Sequence, residues 1–130
     1  MRKLLAILAT ALFLISATAQ ASGGGGGGGP SPYAKLETLT VNLQGLTQYL
    51  QVNMVLKVAK PEIAESIKGW NPVIRHELIL LLSSQTGEEL ATLAGKQKVM
   101  GLIKAAVNKV LKLDAKDGVT DVLFESFVIQ

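Results

Sequence analysis

The sequence predicts an α+β fold, in which a small mixed sheet of about three strands is packed by helices. Three observations predict this class. Residues 49–58 alternate apolar and polar side chains with a period of two, as a half-buried strand does. Residues 96–113 repeat apolar residues at three- and four-residue steps, which is typical of an amphipathic helix. Residues 119–129 are largely apolar at both odd-numbered and even-numbered positions, which predicts a strand covered on both faces.

The first predicted elements are two strands. Residues 36–43 form the first one, because their leucines and valine alternate with threonine and asparagine. The Gln-Gly pair at 44–45 ends that strand or makes a bulge in it. Residues 49–58 form the second strand, and we expect its even-numbered apolar side chains to face the core.

A helix is predicted after the second strand, over residues 61–69. Pro61 suits the first position of a helix, and Glu62 favours the positive end of the helix dipole. Gly69 is predicted to serve as the C-cap. The apolar stripe of this helix consists of Ile63, Ala64 and Ile67.

A second helix is predicted to begin at Asn71, with asparagine as the N-cap and Pro72 at the first helical position. Residues 78–82 are five consecutive aliphatic side chains, which one helical stripe cannot accommodate. This helix should therefore be buried on most sides or lie at an interface. It is too short to span a membrane.

Two more helices complete the helical part. Thr86 and Glu89 have the Thr-x-x-Glu spacing of a capping box, which predicts a short helix. Gly95 separates it from the long helix over residues 96–113, and residues 114–118 form a turn before the last strand. With the short helix and the long helix counted as one helical unit, the predicted order is β-β-α-α-α-β.

Composition excludes several classes of function. The 130 residues suit one modest core, and the absence of cysteine rules out disulfides and thiolate metal sites. One histidine cannot build a histidine-rich zinc site. Aromatic residues make up 5%, and removing Arg2 and Lys3 leaves eleven basic against ten acidic residues. Such a chain has neither the stacking platforms nor the basic field that nucleic acids require.

Residues 1–21 are predicted to be a signal peptide or a short membrane anchor. Arg2 and Lys3 precede an uncharged apolar run over residues 4–16, and Ala-Gln-Ala at 19–21 fits a signal-peptidase site with cleavage between Ala21 and Ser22. The alternative is retention, because residues 4–21 reach the short end of a bilayer span. Both alternatives place the rest of the chain beyond the inner membrane.

Residues 22–32 are predicted to be a flexible linker, and residues 33–130 the folded domain. Seven consecutive glycines at 23–29 have maximal backbone freedom and no side chains to bury. They are not a phosphate-binding loop, because no Lys-Ser/Thr pair follows them.

No residue in the sequence has the surroundings of a catalyst. His76 is the only histidine, and it lies between Arg75 and Glu77 in a helix of aliphatic residues. A general base needs a nucleophile or acid within hydrogen-bond reach, and the sequence names none, so a surface or helix-packing position is expected. Ser83 and Ser84 lie in no nucleophile motif. The acidic pair Glu88 and Glu89 is expected to cap a helix. The pair Glu62 and Glu65 is expected to lie on a solvated helix face.

Basic residues follow the polar side of the long helix. They resemble a solvated helix face, and the alternative is contact with lipid headgroups or an acidic partner. The side chains assigned to this polar face are Lys98, Lys104, Asn108, Lys109 and Lys112.

Five segments carry a resemblance to a known family, and they are residues 49–58 (YLQVNMVLKV), residues 72–86 (PVIRHELILLLSSQT), Glu89-Leu90, Gly95-Lys96 and residues 121–130 (DVLFESFVIQ). They include the Leu-rich helix with its Leu-Ser-Ser-x-Thr-like end and a final strand that stops at Phe-x-x-Gln. In their order along residues 36–130, which is a stronger signal than the Leu-rich helix by itself, they resemble the family of the flagellar basal-body-associated protein FliL.

The resemblance implies a non-enzymatic protein without cofactors. Members of the family are single-pass inner-membrane proteins whose periplasmic domain is similar to the stomatin/SPFH fold and can assemble into rings. They bind stator or basal-body proteins and support or control flagellar motor rotation in motility and chemotaxis. A second reading of the sequence is an exported periplasmic interaction or scaffold module that is not tied to the flagellum.

Overall fold

A computed structural model describes residues 30–45 and 47–130. The expected signal segment, its cleavage site at Ala21–Ser22 and the glycines of the linker lie outside the described residues. The elements in chain order are β1 (Tyr33–Lys35), β2 (Leu39–Asn42), β3 (Tyr49–Val58), α1 (Pro61–Gly69), α2 (Asn71–Ser83), α3 (Gly87–Leu90), α4 (Leu93–Leu111) and β4 (Val119–Ile129).

The sheet is built around β3, and all of its described pairings are antiparallel. β1 and β2 lie end to end along one edge of β3, and β4 pairs with the opposite edge. The prediction of a mixed sheet was therefore wrong in its pairing. The α+β class, the bounds of β3 and the bounds of β4 are confirmed.

The first predicted strand, residues 36–43, is in fact two short strands. Lys35 pairs with Val55 and Leu39 pairs with Val52, so four steps along one chain match three steps along the other. The extra residue interrupts the ladder as a bulge does. Over residues 30–45 and 47–130 the sheet therefore has four strands rather than three, and the observed order is β-β-β-α-α-α-α-β.

The helices cover one face of the sheet and form a two-layer domain. The even-numbered residues of β3 are buried against α1, α2 and α4, as the alternation predicted. The prediction that β4 is covered on both faces was wrong, since Leu123 is 44% and Val128 40% exposed. Within the described residues the helices supply one layer, so one face of β4 is open.

The junction between α1 and α2 differs from the predicted caps. Trp70 alone separates the helices: its N–H donates to the Ser66 carbonyl at 3.0 Å, and its carbonyl accepts from the N–H of Ile74 at 3.0 Å. One residue therefore ends the first helix and begins the second. Gly69 is the last helical residue rather than a C-cap, and Asn71 is the first residue of α2 rather than an N-cap.

The long helix begins earlier than predicted. The hydroxyl of Thr92 accepts a hydrogen bond from the N–H of Gly95 at 2.9 Å, which makes Thr92 the N-cap. Gly95 consequently lies in the first turn of α4 and does not separate two helices. In the described part of the chain, no helix combines the length and the apolar character that a membrane crossing requires.

Candidate functional site

His76 lies exposed on α2, in agreement with its expected surface position. Within residues 30–45 and 47–130, no three His, Asp or Glu side chains come close enough together to hold a metal ion. The fold thus distributes the candidate acid and base residues over separate elements, with Glu62 and Glu65 on α1, His76 on α2, and Glu88 and Glu89 on α3.

The acidic pairs have the roles that helix chemistry gives them. Glu65 forms an exposed ion pair with Lys68 at 3.1 Å, and Glu62 lies in the first turn of α1. The backbone N–H of Glu89 donates to the hydroxyl of Thr86 at 3.2 Å, which confirms Thr86 as the N-cap of α3. Glu88 is exposed in the first turn of the same helix.

The two serines at the end of α2 bond to the backbone of their own helix. The Ser83 hydroxyl donates to the Leu80 carbonyl at 3.1 Å, and the Ser84 hydroxyl donates to the Leu81 carbonyl at 2.6 Å. These carbonyls are among the last of the helix, which lack intrahelical partners. Both hydroxyls therefore help to terminate the helix.

Lys96 departs from the solvated lysine face of α4. Its ammonium group lies 5.2 Å from the ring centroid of Phe127 on β4 and donates to the Ala91 carbonyl at 3.2 Å. A cation over an aromatic ring is attracted by the ring quadrupole. Lys96 thus joins the start of α4 to the end of the sheet. Lys98, Lys109 and Lys112 are exposed, as expected of a solvated face.

Asn108 was assigned to the exposed polar face of α4, and that assignment was wrong. Its side chain is buried and bonds to both backbone groups of Val119. The sequence contained one signal for burial, because Asn108 follows Val107 of the apolar repeat. The prediction gave more weight to the polarity of the asparagine side chain.

The outward side of α2 carries exposed apolar side chains, which we call the outer α2 surface. Leu78 and Leu82 are fully buried, whereas Leu80 is 55% exposed. This arrangement fits the sequence-based alternative in which the aliphatic run lies at an interface. The surface consists of Trp70, Val73, Ile79 and Leu80.

A groove of about 650 Å³ lies between β1 and α1. Its floor includes the buried side chains of Leu36, Ala64 and Ile67. We call it the β1–α1 groove, and its rim is formed by Tyr33, Lys35, Glu37, Glu62, Glu65 and Lys68.

An exposed apolar helix face and a groove beside a strand are features typical of a domain that binds other polypeptides. Residues 33–130 match the family model described as "Flagellar basal body-associated protein FliL". The chain belongs to this family.

Curated relatives agree with this assignment. The chain is 32% identical over 103 residues to the flagellar protein FliL of Escherichia coli strain K12, and the match covers 78% of this chain and 67% of the relative. The same figures hold for the flagellar protein FliL of Shigella flexneri. Identity to the flagellar protein FliL of Aquifex aeolicus strain VF5 is 31% over 84 residues, which cover 65% of this chain and 50% of the relative.

Proposed function

We propose that this protein is a non-enzymatic accessory of the flagellar motor, which supports or controls rotation of the motor and its stator complex in motility and chemotaxis by binding stator or basal-body proteins. The observation that carries the proposal is the match of residues 33–130 to a flagellar basal body-associated family. The outer α2 surface supports it, because exposed apolar patches mark sites of protein interaction.

The proposed location follows from the N-terminal sequence. A signal peptide or anchor over residues 1–21 and a linker over residues 22–32 would place the domain of residues 33–130 in the periplasm, next to the inner membrane. N-terminal sequencing of the mature protein should begin at Ser22 if the signal is cleaved. Recovery of Met1 in washed membranes would contradict cleavage and support a retained anchor.

We further propose that the domain self-associates, in the ring arrangement and with the stomatin/SPFH-like fold that the family resemblance implies. Two stretches support self-association: the aliphatic run at 78–82, with Leu80 exposed, and β4, with Leu123 and Val128 exposed. Association between copies would remove these side chains from water.

Deletion of the gene in its flagellated host tests the motor role. We expect cells that still assemble flagella to swim more slowly in soft agar, with normal swimming restored by the full chain supplied in trans. Normal filament number is the control that separates motor function from assembly. Unchanged swimming after deletion would contradict the motor role and favour the exported module that is not tied to the flagellum.

A further inference from the structure

The outer edge of β1 presents backbone groups that the described sheet does not use. The N–H of Leu36 donates to the Met54 carbonyl at 3.1 Å, and the N–H of Val58 donates to the Pro32 carbonyl at 2.8 Å. Even-numbered residues of this segment therefore bond to β3. In an antiparallel ladder the alternate residues direct their N–H and C=O groups to the other side. Lys35 is such a residue, and no strand of the described chain pairs with that edge.

The neighbours of Lys35 along this edge are already partly satisfied. The N–H of Tyr33 donates to the Ser31 hydroxyl at 3.2 Å. The Glu37 carbonyl accepts from the guanidinium of Arg75 at 3.3 Å. Lys35 keeps both its outward donor and its outward acceptor, so a single residue of an added strand could exchange both hydrogen bonds with it.

The β1–α1 groove gives this edge a second wall. Helix α1 runs beside the strand, and the combination of a strand edge with an adjacent helix lets an extended segment bond through its backbone while its side chains contact the helix. On the helix side, the Glu62 carboxylate is exposed. The ion pairs of the described residues join Lys35 to Glu125 and Lys68 to Glu65, which leaves Glu62 without a cationic partner there.

The opposite edge of the sheet is less suited to an added strand. β4 is longer, but its register against β3 shifts at two places, between Asn53 and Met54 and between Lys57 and Val58. Such irregularities bend an edge and interrupt its row of backbone groups.

We propose that the β1–α1 groove binds an extended segment of another polypeptide by strand addition to β1, with basic side chains of that segment facing Glu62. One residue of the segment pairs with both backbone groups of Lys35, and apolar side chains on its other face lie beside the exposed ring of Tyr33. The proposal deepens the proposed function as an interaction domain, and it predicts the chemistry of the segment recognised.

The test measures binding of two labelled hexapeptides to the full chain by fluorescence anisotropy. One probe alternates valine with lysine, the other valine with glutamate, and both have blocked termini. We expect saturable binding of the lysine peptide and at least about tenfold weaker binding of the glutamate peptide. The full chain carries a net charge of +3, so non-specific attraction would favour the glutamate peptide instead. Equal binding, preference for glutamate, or no binding would overturn the proposal.

The substitution Lys35→Pro removes the outward N–H without touching a bond to β3, as edge strands allow. We expect this substitution to weaken binding of the lysine peptide about tenfold, because the peptide carbonyl that would accept the Lys35 N–H is left unpaired. The matched control is Thr40→Pro on β2, where the N–H also points away from β3. Lys35→Ala keeps the N–H and should bind at least as tightly as the wild type.

Charge is tested separately with Glu62→Lys, which should weaken the lysine peptide and strengthen the glutamate peptide. Glu88→Lys is its control, because Glu88 also occupies the first turn of a helix but lies on α3.

Should Lys35→Pro fail to fold, hydrogen exchange on the wild-type protein tests the strand-addition proposal instead. Protection of the Lys35 amide by the lysine peptide would support the proposal, and protection confined to β4 would overturn it. These experiments do not measure swimming, so failure of the strand-addition proposal can be distinguished from failure of the proposed motor role.

Discussion

The side-chain amide of Asn108 donates to the Val119 carbonyl at 3.0 Å and accepts from the Val119 N–H at 2.7 Å. It thereby supplies the first residue of β4 with both backbone partners and joins the long helix to the sheet. An added Cβ on Gly118 would lie 2.3 Å from the Asn108 oxygen, so the preceding residue must lack a side chain for the amide to approach. Because both bonds are buried, neither is exchanged for water in the folded state.

Replacing Asn108 by alanine should lower the free energy of unfolding by about 1–3 kcal/mol, because the buried N–H and C=O of Val119 lose their partners. The control is Asn71→Ala, since Asn71 makes no capping bond in α2 and should cost less than about 0.5 kcal/mol. Urea unfolding of both variants measures the difference. Equal losses would show that the Asn108 bonds contribute no more than the half-buried side chain of Asn71 does.

At the scale of elements, α3 and α4 are joined by two threonine caps and one close approach. Thr86 caps α3, Thr92 caps α4, and the Thr92 hydroxyl also donates to the Glu89 carbonyl at 2.8 Å. A Cβ on Gly95 would lie 1.8 Å from that same carbonyl oxygen. The glycine therefore allows the end of one helix to lie against the start of the next.

Gly95→Ala should destabilise the domain by about 1–3 kcal/mol, because a backbone atom rather than a flexible side chain must move. Gly101→Ala in the same helix provides the matched control. Nothing lies within 4 Å of its added Cβ, so this variant should be more stable by about 0.5–1 kcal/mol. Thermal and urea unfolding report the two opposite signs. A stabilised Gly95→Ala variant would contradict the close approach.

The boundaries of helices and strands differ in how far the sequence could predict them. Thr86 was recognised because its hydroxyl bonds to an amide three residues away, within reach of local sequence reasoning. The caps at Gly69 and Asn71 were predicted wrongly because Trp70 performs both tasks through backbone bonds. The division between β1 and β2 was missed because it depends on their register against β3, which local sequence does not report.

At the scale of the whole fold, the described residues place one layer of helices on one face of a four-stranded sheet, which leaves apolar side chains outside the core. The most exposed residue of the outer α2 surface is Leu80, and Trp70 is 52% exposed at the beginning of the same helix. Water contact of such side chains is unfavourable, so covering them by a protein partner would stabilise an assembly.

Leu80→Gln should reduce self-association and swimming while leaving the fold intact. Glutamine is a good helix former without charge, and surface substitutions usually change stability by less than about 0.5 kcal/mol. Leu102→Gln on α4 is the matched control, because Leu102 is 38% exposed and lies outside the outer α2 surface. Sedimentation velocity of the full chain and complementation of the deletion strain are the measurements. A variant at Leu80 that associates and swims like the wild type would contradict a role for this surface.

The sequence by itself determined the α+β class, the ends of β3 and β4, the N-cap at Thr86 and the FliL resemblance that the family match confirmed. These features depend on side-chain periodicity and on bonds between near neighbours in the chain. Only the tertiary structure decided that β4 is open on one face, that Asn108 is buried and that β1 borders a groove. Each of these three features depends on which distant segment of the chain packs against the element concerned. The periodicity of side chains within one element does not indicate which other element it will contact.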